Sequence, residues 1–167
     1  MSGVSVSVTI SDASVRRSFD NLAVVMGNTR PVMAAIGTEL VGSTHMRFVS
    51  QTDPDGNAWQ ALDPDYAATK RNSRILTESG RLRDSINARA GNDHVSVGTN
   101  VIYAAIHQLG GTIEPKAASH LFFKIGGERI VANSVTLPAR PYLGISSDDE
   151  TAIAEIVFSF VDRYIKR

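Results

Sequence analysis

Apolar and polar residues alternate from Val4 to Ile10: Val4, Val6, Val8 and Ile10 stand against Ser5, Ser7 and Thr9. A period of two is the signature of a half-buried strand. Its serines leave it little to bury, which suits a strand that pairs with another chain. From Ser11 or Asp12, either of which caps a helix, the period changes. Val15, Phe19, Leu22 and Val25 or Met26 recur at helical spacing on one face. The run "GNTRP" ends that helix and Pro31 opens the next. The second helix is predicted from about Val32 to about Phe48, with Val32, Ile36, Leu40 and Val41 inward.

A dense turn cluster follows, "SQTDPDGNAW", and then Asp63 caps a short helix with Pro64 at its first position. The segment "RILTESGRLRDSINARAG" reads as a further helix starting near Thr77, with Leu82 and Ile86 one turn apart and Gly80 weakening it. "HVSVGTN" alternates as a strand, and "NVIYAAIHQ" reads as a short helix capped by Asn100. Gly126-Gly127 inside "LFFKIGGERIVA" signals a hairpin. Leu137 and Arg140 each precede a proline, so "SVTLPARPYL" is extended and no central strand. The last helix has Asp148, Asp149 and Glu150 at its start and Arg163, Lys166 and Arg167 at its end, as the helix dipole favours. Ile153, Ile156 or Val157, Phe160 and Tyr164 form its inner stripe.

The pattern predicts an α+β chain: helices packed on a small, mostly antiparallel sheet, with an N-terminal strand and a long C-terminal helix. With 167 residues it is expected to make a single domain, 1–167. Within it, 1–11 is a pairing strand and 111–134 an arm that is mobile when free. Composition narrows the chemistry. Cysteine is absent, which removes disulfides, thiolate zinc sites and cysteine nucleophiles. Formal net charge is zero, so no global basic excess points to nucleic acid. That neutrality also favours association over the monomer. No secretory leader is expected, and no apolar run approaches the roughly 20 residues of a membrane span.

Specific motifs fail in turn. The "DPDGNA" stretch resembles the start of a calcium loop, but Ala58 and Pro64 stand where glycine and glutamate are required. The aspartates are expected to accept backbone N–H bonds in a tight turn instead. No HExxH pair, phosphate-binding glycine loop or GxSxG elbow occurs, and no metal or cofactor is expected. His107, in "AAIHQLGG", lies one helical turn beyond Tyr103 and has no nucleophile or carboxylate at a useful spacing. His107 and Gln108 are therefore expected to bond backbone groups where the helix stops at a left-handed Gly110. Residues 66–90 carry Lys70, Arg71, Arg74, Arg81, Arg83 and Arg89 against Glu78 and Asp84. This is a solvated face unless it lines the bore of a ring.

Four stretches, "QTDPDGNAWQALDPDYAATK", "ILTESGRLRDSI", "VSVGTNVIYAAIHQLGG" and "LPARPYLGIS", stand in this order and spacing. Together they resemble the phage virion morphogenesis family, the tail-completion proteins of Mu-like and related tailed phages, from about Phe19 to about Tyr164. The resemblance implies a structural virion protein, not an enzyme, that completes the tail or joins head to tail as a neck ring. The alternatives are an assembly factor that binds tail proteins but is absent from the mature virion, and a virion-associated hydrolase. The implied location is the virion, at the head–tail junction or tail end, after synthesis in the host cytoplasm. The implied partners are copies of itself, six matching the symmetry of tail tubes, neighbouring head-connector and tail proteins, and non-specific contact with DNA in the bore, with no membrane. The interface candidates are Val4, Val6, Val8, Trp59, Tyr103, His107, Phe122, Phe123, Pro138, Arg140, Pro141 and Tyr142. Trp59, after a turn and before a capped helix, is expected to plug the core edge or to anchor an interface.

Overall fold

A computed structural model describes residues 26–165, together with residues 17, 20, 21, 23 and 24. The predicted strand Val4–Ile10, with Val4, Val6 and Val8, lies outside the described residues. Of the helix expected after it, the described positions are helical. They are tied to the far end of the chain by Asn21, whose Nδ2 donates to the Tyr164 carbonyl at 3.0 Å.

The central element is α1, Arg30–Ser50, with proline in its first turn. Val32, Ile36, Gly37, Thr44, Arg47 and Phe48 are its buried positions. A Cβ at Gly37 would lie 2.8 Å from Ala88 Cβ and 2.9 Å from Val95 Cγ2. Only glycine lets α1 press this closely on the ribbon of β1 (Asn87–Ala90) and β2 (Val95–Gly98). The helix stops at Gln51, which takes a left-handed conformation at φ 59° and sends its N–H to the Arg47 carbonyl. Gln51 then serves as a hub. Its side-chain Oε1 accepts from the Ile75 N–H at 2.6 Å, and its carbonyl accepts from the Trp59 N–H at 2.8 Å. The "DPDGNA" stretch is the expected tight turn: Asp53 Oδ1 accepts from the Asn57 N–H at 2.8 Å. Asp63 caps α2, Pro64–Thr69, accepting from the N–H groups of Asp65 and Tyr66.

Strand pairing is antiparallel throughout the described residues. It is divided among three two-stranded ribbons rather than gathered into one sheet. Beside β1–β2, β3 (Gly111–Ile113) pairs with β6 (Val135–Leu137), and β4 (Leu121–Ile125) pairs with β5 (Glu128–Ala132) across the expected Gly126-Gly127 turn. The long C-terminal helix α5, Ser147–Ile165, packs against α1. Its start is a reciprocal cap. The Ser146 hydroxyl accepts from the Asp149 N–H at 3.1 Å, and Asp149 Oδ2 accepts from the Ser146 N–H at 2.8 Å.

Two helices expected from periodicity come out differently. The segment after Thr77 holds a single turn, α3 (Arg81–Asp84), and residues 87–90 form β1 instead. Leu76 at φ 54° and Gly80 at φ 80° both adopt left-handed backbone, which interrupts any helix begun there. Pairing with β2 beneath α1 then outweighs helix propensity in "NARA". Leu82 and Ile86 are nonetheless both in the core. The helix α4, Ala104–Leu109, begins beyond Asn100, with Tyr103 at the cap and no side-chain cap bond. The Thr99 hydroxyl accepts the Val101 N–H at 3.1 Å and turns the chain there. Ile102, just ahead of the helix, is 99% exposed.

Candidate functional site

The two segments around His107 and Pro138–Tyr142 meet, and their junction is closed by side chains that bond backbone. Gln108 is the pivot. Its Oε1 accepts from the N–H groups of Tyr142 and Leu143, each at 3.0 Å, and its Nε2 donates to the Leu143 carbonyl at 2.9 Å. These three bonds bind an extended segment that proline denies a regular strand partner. Arg140 crosses to the other side. Its Nε donates to the Gln60 carbonyl at 2.8 Å and a terminal nitrogen to the Ala61 carbonyl at 3.1 Å, while its own N–H donates to the His107 carbonyl at 2.8 Å. The Tyr142 hydroxyl donates to the Ala104 carbonyl at 3.2 Å, and Trp59 Nε1 to the Pro141 carbonyl at 2.7 Å.

The aromatic centre follows from these anchors. Phe48 lies 5.6 Å from Trp59 edge-on and 5.2 Å from Tyr142. Tyr142 and Phe48 are the largest fully buried side chains. Trp59 thus plugs the core, and Arg140 and Tyr142 are spent inside the subunit, with Pro138 and Pro141 half-buried. Below them Arg47, which polarity alone would place outside, is buried. It donates to the carbonyls of Tyr142 (3.1 Å) and Gly144 (2.9 Å) and pairs with Asp149. Burial pushes the Asp149 carboxyl up. Hydrogen bonds from Ser43 and Ser146 and the Arg47 charge more than offset it and hold the group below its ordinary value. Sequence reading assigned Asp149 to the helix dipole and passed over Arg47. The signal available was Ser146 three residues before Asp149, a capping-box spacing.

His107 departs from its expected role. Its carbonyl takes the Arg140 N–H, but its ring Nδ1 is buried with no hydrogen-bond partner. The ring stands edge-on to Tyr103 at 5.9 Å. Burial, then the charge of Arg140, lower its pKa, so the imidazole is neutral near pH 7. Gly110 has the positive φ expected, 69°, but its ψ of −177° sends the chain straight into β3. A Cβ there would meet the Ala139 nitrogen at 2.6 Å.

His107 and Tyr103 border a cavity of 780 Å³ whose other walls include Leu62, Tyr66, Leu76, Phe123 and Leu137. Strand β4 borders it through Phe123, Lys124 and Ile125, of which Phe123 and Ile125 are half-buried. The tip of the β4–β5 ribbon rests on α2, where a Cβ at Gly126 would lie 2.6 Å from Thr69 Cγ2. Phe122, on the outer face, is 72% exposed. In the basic stretch, Lys70 pairs with Glu78 and Arg83 with Asp84, each at 2.7 Å. Arg71, Arg74, Arg81 and Arg89 remain on the exposed surface. Among the described residues no group of histidines and carboxylates could hold a metal ion, and no helix is long and apolar enough to cross a membrane.

These features define an α+β protein in which Gln108, Arg140, Tyr142, Trp59 and Arg47 bond backbone of the same chain, while several large apolar side chains stand exposed. The chain belongs to the phage virion morphogenesis family, which it matches over residues 10–162. It is 30% identical over 158 residues to "Putative capsid assembly protein G" of Escherichia phage Mu, covering 90% of each chain. It is 29% identical over 152 residues to "Mu-like prophage FluMu G protein 2" of Haemophilus influenzae, covering 91% of this chain and 92% of that one. No solved structure matches it.

Proposed function

We propose that the chain is a structural protein of a tailed-phage particle that completes the tail or joins head to tail, acting as a ring at the neck and not as an enzyme. The observation that carries this reading is the division of labour in the subunit. Gln108, Arg140 and Arg47 bond backbone to hold the fold. Meanwhile Ile102 (99%), Leu109 (76%), Phe122 (72%) and Phe158 (72%) face solvent. Exposed apolar residues of this size suit a protein whose surface is finished by neighbours. Six copies would match the symmetry of a tail tube, with the head connector and tail proteins above and below. The exposed arginines of the 71–89 stretch would be free for phosphates if they face the bore. Membership of a virion morphogenesis family supports the same reading.

Quantitative mass spectrometry of purified particles tests it. The expected result is a fixed copy number of six per tail. A different fixed number would revise the ring and keep the neck. A second reading has its own support: the Mu relative is named for capsid assembly, which suits a factor that acts during construction and then leaves. Absence of the chain from mature particles would favour that reading and exclude the first.

A further inference from the structure

We propose that the outer face of the β4–β5 ribbon of one copy docks on the outer face of α5 of the next, a head-to-tail contact that closes the ring. The inference rests on the ring reading above and names the surfaces that would make it.

The ribbon has two unlike faces. Leu121, Phe123, Ile125 and Ile130 turn inward and are half-buried. Outward, Phe122 stands directly opposite Val131, and Lys124 directly opposite Arg129. Phe122 is 72% and Val131 57% exposed. His120 sits with its ring 6.5 Å from that of Phe122. Two cations directly across a strand pair repel each other, and the apolar Phe122–Val131 pair leaves most of its surface in water. Among the described residues neither Lys124 nor Arg129 has an ion-pair partner. The subunit alone therefore bears a cost that an apolar, acidic partner would remove.

The exposed flank of α5 has that character, with Glu155 at the edge of the groove it shares with α1. Phe158 is 72% and Val157 39% exposed. Asp148 and Glu155, both exposed, lie seven residues apart along one flank of Phe158. Glu155 and Ala154 lie one turn before Phe158, on the same side. The dimensions agree. Five residues of strand span about 17 Å, and the helix row from Asp148 to Phe158 about 15 Å. One patch is apolar and cationic, the other apolar and acidic, and they are different patches of one subunit. Repeated head to tail, such a pair of unlike patches builds a ring or a filament; exchanged reciprocally between two copies, it stops at a two-fold dimer. Lys124 and Arg129 could also meet DNA phosphates. The apolar Phe122–Val131 pair between them and the ribbon's end argues for a protein surface.

Charge reversal tests the contact on the full chain. Lys124→Glu with Arg129→Glu gives one variant, and Asp148→Lys with Glu155→Lys the other. Each alone should weaken self-association, read by native mass spectrometry and light scattering, by about tenfold or more. Mixed in equal amounts, the two should associate again, because each reversed patch then meets its complement. Since the chain has no cysteine, Val131→Cys with Ala154→Cys should give under oxidation a ladder of covalent multimers that ends at the closed ring. The ladder should form in solution and in assembled particles. Unchanged self-association in both reversals, or no ladder in either setting, overturns the contact while leaving the neck reading standing. Loss of binding to a short DNA duplex in Lys124→Glu with Arg129→Glu, with self-association intact, overturns it in favour of phosphate. Absence of the wild-type chain from particles counts against the neck role alone, since the mixing result still judges the contact.

Discussion

The corner at Tyr142 and the ribbon at Phe122 are both aromatic, both reached by a chain with glycine or proline at its bends, and built to opposite ends. At the corner, Tyr142 is 1% exposed. The backbone around it is bonded by Gln108, Arg47 and Trp59. On the ribbon, Phe122 is 72% exposed. Apart from its tip against Thr69, the ribbon has its own two strands, a cavity below and solvent above. The corner is complete within one subunit. The ribbon is finished only on its inner side. Stability should therefore reside in the first region and association in the second.

Phe48→Ala, in the aromatic centre, should cost about 3–5 kcal/mol and leave the chain marginally folded, as read by denaturant unfolding. Arg47→Ala should approach the same loss, about 3–5 kcal/mol, because it strands Asp149 in the interior. If Arg47→Ala unfolds no more easily than the wild type, the corner is not the anchor described here. The pair also carries an acid sensitivity. The folded pKa of Asp149 is depressed below its ordinary 3.8. Its contribution is therefore fully present above that value and is lost as pH falls through the folded pKa. Wild type should melt above Asp149→Asn near neutral pH, and the gap should close as pH falls below about 4.

Gln108→Leu removes three bonds to the Tyr142–Leu143 backbone and should cost about 1–3 kcal/mol. His107 gives a gentler slope. Its folded pKa is depressed below 6.5, so stability should decline as pH drops below that value toward the folded pKa, and His107→Phe should flatten the decline. At the small end, Phe122→Ala should change subunit stability by less than about 0.5 kcal/mol, yet weaken self-association. Hydrogen exchange on the isolated subunit should run faster in β4–β5 than in α1, and slow on assembly. Strong protection of the ribbon in a lone subunit would erase the contrast between the two regions.

Residue spacing by itself located α1, the Asp63 cap, the Gly126-Gly127 hairpin, the break at Pro138 and the long α5 with its inner stripe. Each is a local signal: a period, a cap or a ring that fixes φ. The matching of four stretches in order reached the family. Tertiary structure decided the rest. It turned "NARA" from a helix into β1, because a partner strand and Gly37 of the overlying helix were on hand. It divided the strands into three ribbons, since pairing depends on residues distant in sequence. It also buried Arg47 against Asp149, 102 residues apart, and of the two side chains expected to bond backbone, Gln108 does so while the His107 ring Nδ1 has no partner. A charged or amide side chain reads as surface until the fold brings a carbonyl, an N–H or a carboxylate within 3 Å of it. No periodicity encodes that proximity.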